Sequence, residues 1–380
     1  TKIGGVELGQ GILIGKVFGI SIRLHLSWFI IFGLVTWALA SNYFPANYPN
    51  WSTGLAIGVS FATSLLFFSS VLFHELSHSL MAKKYGIPVS SITLFILGGV
   101  AEIAEEPRKP KEEFMVALAG PLSSVIIGLI FAVLWLALPL KAEVFIAVSF
   151  WLAWINLMLG LFNLTPGFPM DGGRVLRSLI WWKTGNLDKS TRIASNIGQG
   201  VGLLFIIGGV SLVFYGMLLN GLWISIIGWF IRSAAASSYR QLTLRQLMKG
   251  HKVKEVMADD CLLIDPEMSI EQLVNEHVFS SGRRCFAIGG SGIVQGVITL
   301  KDIKNLSRNN WSETSVEQVM TPLKDLHIIG PEEDLGEAFK LLTEKNVNQL
   351  PVIAEGKLQG MLARDNLLNF ISLKEGLGLE

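Results

Sequence analysis

The chain has 380 residues, 51% of them hydrophobic and only 16% charged, whereas an ordinary soluble domain carries about 25% charged residues. Its 31 basic and 30 acidic side chains leave a formal charge of +1, so the overall field favours neither nucleic acid nor an anionic surface. A purely soluble enzyme is excluded: long apolar runs fill the sequence up to about Tyr239, and mixed-charge globular sequence follows. Two domains are therefore expected, one embedded in a membrane over residues 1–245 and one soluble over residues 246–380.

The chain starts at Thr1 without a basic segment, short apolar core and cleavage site in series, so no cleavable signal peptide is expected. Apolar segments near Ile20–Ala40, Gly54–Ala82, Phe114–Leu138 and Val144–Leu164 are long enough to span a bilayer as helices. The uncharged run Ile193–Ile231 is 39 residues long, too long for one helix. Asn220-Gly221 offers a turn, and two further spans are predicted there. Lys and Arg collect on cytoplasmic sides. The loop Asn42–Ser52 has neither, while Lys83, Lys84, Arg108, Lys109 and Lys111 fill the next loop, and Arg174, Arg177, Lys183, Lys189 and Arg192 follow span four. Six spans with both termini in the cytoplasm satisfy this alternation. Cys261 and Cys285 are the only cysteines; they read as small core residues in a reducing compartment.

The second span ends in His74-Glu75-Leu76-Ser77-His78, an H-E-x-x-H pattern. Residues four apart stack on one helix face, so both imidazoles can reach one Zn2+, with Glu75 beside them to take a proton from water. Ionisable groups inside a bilayer are expensive and mark function by default. A catalytic zinc has three protein ligands and one open position. Asp171, in the stretch NLTPGFPMDGGR from Asn163 to Arg174, is the candidate third ligand, although Pro-Met-Asp-Gly also reads as a plain turn. A different class, a regulated ion transporter or channel, would explain intramembrane acids, but it has no need of two histidines four apart with Glu between them.

These stretches, with ILGGVAEI at Ile96–Ile103 and ALAGP at Ala117–Pro121, resemble the site-2 proteases, intramembrane zinc metalloproteases, over most of residues 15–240. The resemblance implies one Zn2+ per chain on His74, His78 and Asp171, Glu75 as catalytic acid/base, and Asn163 steadying the substrate carbonyl or oxyanion. It also implies a multi-pass protein of a prokaryotic cell membrane that cleaves transmembrane substrates, such as a membrane-tethered transcription regulator or anti-sigma factor, and does not bind nucleic acid directly. The β-branched stretch Val89–Ala101 would then be a re-entrant strand. Its edge along Ser90–Phe95 is expected to hold unwound substrate by β-augmentation.

Residues 250–308 and 315–374 repeat each other at a shift of 63 to 65. Each repeat reads as a lead ending in Val-Met, then strand, helix, two strands about a turn and a final helix. This pattern resembles a tandem pair of CBS domains. The resemblance implies ATP or AMP in the cleft, with Thr299 and Asp302 as contacts, and a homodimer formed through the pair. Ala363 and Asn366 stand where the second repeat would need the same two residues. The fold class expected is a polytopic α-helical membrane protein of about six transmembrane helices plus a soluble α/β tandem CBS domain.

Overall fold

A computed structural model describes residues 2–3, 6–7, 11–96, 98–103, 107–139, 141–259, 263–281, 285–290, 293–345, 347–355 and 357–377. The chain divides into two compact units, Thr1–Leu242 and Thr243–Glu380.

In the first unit, strands β1 (Ile12–Val17) and β2 (Ile20–Leu24) precede helix α1 (Leu26–Ala38), which continues through a π-helical turn, Leu39–Tyr43, to Asn47. The part of the predicted first span that begins at Ile20 is thus a strand. His25 separates strand from helix, its Nδ1 accepting from the Ser27 amide as an N-cap. Helix α2 (Thr53–Lys84) starts from the Ser52 N-cap and ends with Lys83 and Lys84 beside its negative pole, before Gly86 at φ +76°. Strands β3 (Val89–Phe95) and β4 (Gly98–Ile103) follow, then helices α3 (Pro110–Ala137), α4 (Glu143–Asn163), α5 (Asp171–Thr184), α6 (Leu187–Phe214) and α7 (Leu218–Met248).

Among the described residues, six helical segments are long and apolar enough to cross a membrane: Leu26–Asn47, Thr53–Lys84, Pro110–Ala137, Glu143–Asn163, Leu187–Phe214 and Leu218–Arg240. The turn between the last two falls at Tyr215–Met217, where Gly216 takes φ +82°, and not at Asn220-Gly221. Gly221 is used otherwise. A Cβ there would lie 2.5 Å from the Gly209 carbonyl oxygen, so the missing side chain lets α6 and α7 touch backbone to backbone.

The four strands form one sheet in the order β1-β2-β3-β4, with antiparallel, parallel and antiparallel pairings. Strand β3 is therefore paired on both sides: Ser21–Leu24 of β2 run beside Ser91–Leu94, and Val89–Phe95 face Gly98–Ile103. This corrects the expectation of an open edge along Ser90–Phe95. The apolar, β-branched character of that stretch reflects a buried central strand; among the described residues the edge beyond β3 belongs to β4.

In the second unit, strands β5 (Leu263–Ile264), β6 (Cys285–Gly290), β7 (Ile293–Thr299) and β8 (Thr321–Pro322) form a sheet in the order β8-β7-β6-β5. Helix α8 (Leu300–Lys304) leaves β7; helix α9 (Leu335–Glu344), the hairpin β9 (Gln349–Ala354)–β10 (Lys357–Ala363) and helix α10 (Arg364–Gly376) make the second repeat. Each repeat's lead segment packs on the other repeat. Val253 and Val256 sit in one core with Leu335, Leu350 and Leu362, while Val316 joins Ile264, Phe286 and Ile298. Strand β8 pairs with β7, and Ala258 exchanges backbone hydrogen bonds of 2.9 Å with Met361. Gly296 and Gly360 make room for this, since a Cβ on either would strike the Met320 or Met257 sulfur. Cys285 opens β6 half-buried, and Cys261 lies outside the described residues.

Candidate metal centre

Two helices meet at one point. His74 and His78 lie one turn apart on α2, 4% and 5% exposed, and Asp171 is the first residue of α5. His74 Nε2 lies 3.1 Å from Asp171 Oδ2, His78 Nε2 lies 3.1 Å from the same oxygen, and the two Nε2 atoms are 3.2 Å apart. Among the described residues, these three form a group able to hold a metal ion.

The ring orientations come from α3. His78 Nδ1 donates to the Val116 carbonyl at 2.7 Å, and His74 Nδ1 lies 2.9 Å from Ser124 Oγ. A carbonyl only accepts, so in neutral His78 the proton sits on Nδ1 and Nε2 presents a bare lone pair. Between these anchors lies Gly120, where a Cβ would stand 2.1 Å from His78 Nε2 and 2.7 Å from His74 Nε2. Residues 116, 120 and 124 thus form one buried stripe, spaced four apart, that cradles both imidazoles.

Asp171 is held by the loop before it. Gly167 at φ +135° turns that loop, and the Phe168 amide donates to the Ala194 carbonyl of α6 at 3.2 Å. The two glycines after Asp171 let the helix lie against the loop: a Cβ at Gly172 would sit 2.2 Å from the Leu164 carbonyl oxygen, and one at Gly173 would sit 2.3 Å from the Gly167 carbonyl carbon. Glu75 is covered by β4, where a Cβ on Gly99 would sit 2.3 Å from the Glu75 Cγ.

The donor set fits zinc. Bonds of about 2.0–2.1 Å in a tetrahedral arrangement separate ligand atoms by about 3.3 Å, close to the 3.1–3.2 Å separations here. Electron-rich atoms packed this closely call for a cation, and the outer hydrogen bonds fix each imidazole as metal sites require.

Asn163 ends α4, and its Nδ2 donates to the Leu159 carbonyl at 3.0 Å, within its own helix. It is not hydrogen-bonded to the two histidines or to Asp171. Thr299 and Asp302 face each other: the Thr299 hydroxyl and amide donate to Asp302 Oδ2 at 2.7 and 2.8 Å, capping α8. In the second repeat Asn366 Oδ1 accepts from the Ala363 amide at 3.0 Å, so the cap survives there without a hydroxyl. Sequence reasoning missed Val116, Ser124, Glu113 and Arg177. The spacing of Val116, Gly120 and Ser124 through ALAGP was the available signal.

Comparison with known proteins identifies the family. Residues 62–145 and 140–209 match peptidase family M50, and residues 253–309 and 316–373 each match the CBS domain. The Synechocystis protein sll0528, provisionally named a zinc metalloprotease, is 34% identical over 97% of this chain and 97% of its own length. The zinc metalloprotease MJ0392 of Methanocaldococcus jannaschii is 30% identical over 97% of this chain and 98% of its own. A solved site-2 protease from Methanocaldococcus jannaschii, at 30% identity, covers 60% of this chain and 95% of that one with a TM-score of 0.41. The chain belongs to peptidase family M50, with a CBS pair behind the protease unit. It is a membrane zinc metalloprotease of the site-2 type.

Proposed function

We propose that the chain hydrolyses peptide bonds of transmembrane proteins inside the bilayer, with His74, His78 and Asp171 holding one Zn2+ and Glu75 as acid/base. The observation that carries this reading is the convergence, 3.1–3.2 Å apart, of two imidazole nitrogens from a helix apolar enough to span a membrane and one carboxylate oxygen from the start of α5. A zinc ion held by these three residues would supply Lewis-acid polarisation of the scissile carbonyl and a more acidic water. Glu75 takes the proton of the attacking water and returns it to the leaving amine. Asn163 reaches an oxyanion once its amide leaves the Leu159 carbonyl.

A substrate helix must unwind before cleavage, and its extended form pairs with the outer edge of β4, the strand whose Gly99 touches Glu75. The basic loops support a cytoplasmic site, termini and CBS pair; membership of the family supports a prokaryotic membrane and a membrane-tethered transcription regulator as substrate. The CBS pair binds ATP or AMP beside Thr299 and Asp302 and joins two chains. Zinc analysis of the purified protein tests the centre: about one ion per chain is expected, lost in Asp171→Ala and kept in Glu75→Gln, which no longer cleaves a membrane substrate. Full cleavage by Glu75→Gln overturns the mechanism.

A further inference from the structure

Glu113 lies in the first turn of α3, 1% exposed, on the stripe that continues through Val116, Gly120 and Ser124. Arg177 of α5 approaches it with two nitrogens. Arg177 Nε donates to Glu113 Oε1 at 2.6 Å, and a terminal guanidinium nitrogen donates to the same oxygen. The arginine side chain is itself 12% exposed, and its guanidinium carbon stands 5.2 Å from the centre of the Phe168 ring. One side chain thereby joins three parts of the centre: the helix that orients the histidines, the loop before Asp171, and the helix that begins with Asp171.

A buried ion pair is poor evidence for stability, because desolvating both charges offsets most of their attraction. In some proteins such a pair instead sets register, and register is what this centre needs. Asp171 enters from a helix that has no covalent neighbour on α2 or α3, yet its oxygen must meet both imidazoles within a few tenths of an ångström for a metal to bind. Counted from Glu113, the Val116 carbonyl that orients His78 is one turn away, and counted from Arg177, Asp171 is less than two turns away.

We propose that Glu113 and Arg177 are positioning residues, a buried lock that sets the α5 N-terminus, and with it the Asp171 carboxylate, against the two histidines. This inference rests on the zinc reading above. Neither residue touches the metal or the substrate; they act through Asp171 and through the Val116–Ser124 stripe.

The test uses full-length protein in detergent and the charge-conserving variants Glu113→Asp and Arg177→Lys, which keep the pair but alter its length or remove the fork. Zinc affinity is measured by competition with a chelator, and folding by thermal unfolding of the metal-free form. Both variants should keep the metal-free melting temperature and lose zinc affinity 10- to 100-fold, the usual loss when an outer partner of a metal ligand is changed. The Arg177→Lys loss should be the smaller of the two if the lysine still reaches Glu113. Wild-type zinc affinity in either folded variant overturns the proposal. So does collapse of the metal-free fold in both, because the pair would then hold the bundle generally and not the ligand. A wild-type protein that binds no zinc fails the zinc reading itself, a separate result seen before any variant is made.

Discussion

Gly120→Ala adds one methyl group at the point where the two imidazoles and α3 meet. The new Cβ would stand 2.1 Å from His78 Nε2, about 1.3 Å inside ordinary contact at about 3.4 Å. Metal–ligand distances tolerate only about 0.2 Å, so the ring cannot retreat that far and still coordinate. Zinc affinity should fall by at least about 100-fold, about 2.8 kcal/mol at 1.4 kcal/mol per tenfold. Overall stability should change little, since overpacking costs about 1–3 kcal/mol and alanine recovers about 1 kcal/mol of helix propensity over glycine. Gly128→Ala is the control. It lies on the same buried face, but its Cβ would meet the Leu157 side chain 2.8 Å away, and it should retain zinc. Chelator competition and metal-free unfolding, run on both variants, separate the effects. Wild-type zinc affinity in Gly120→Ala would refute the cradle.

Three other outcomes are expected. Of the adjacent residues Val100 and Ala101, one turns its amide to the outer edge of β4; proline there should abolish cleavage while leaving zinc bound, and unaffected cleavage in both proline variants removes the substrate edge. Met248 is fully buried in the core of the second repeat, so Met248→Ala should destabilise that repeat by about 2–5 kcal/mol, read as faster hydrogen exchange across residues 335–367; unchanged exchange counts against the shared core. The Glu332 carboxyl is held down to about 2 from 4.5 by Lys252 first and Lys254 second. Its folded value is depressed, so this stabilisation is present above about pH 4.5 and is lost as pH falls towards 2. Because the group is fully exposed, added salt should erase the difference between wild type and Glu332→Gln in acid unfolding scans.

Much of this was legible in the sequence because the signals were periodic. H-E-x-x-H is a helical spacing, uncharged runs of some twenty residues are spans, and the 63-to-65-residue shift is a duplication. What escaped was tertiary. Glycines at 99, 120, 172 and 221 look alike in a sequence, yet one covers Glu75, one cradles two rings, one admits a loop and one joins two helices. Asn220-Gly221 has turn chemistry, but helix packing overrode it. The β-branched run at Val89–Phe95 was a strand, and only the pairing of β2 with β3, across two intervening spans, showed that neither side of it is open. Glu113 and Arg177 resembled ordinary flanking charges because 64 residues separate them.

The traded lead segments of the CBS pair have a consequence for how this protein is made. As the chain leaves the ribosome, residues 263–304 have no β8 strand to finish their sheet until Thr321 and Pro322 appear, and residues 248–258 wait longer still, until Met361 is available to receive Ala258. The first repeat's sheet can therefore be completed before the second repeat's core. The module can close only once Met361 has been synthesised, after the six candidate spans described above.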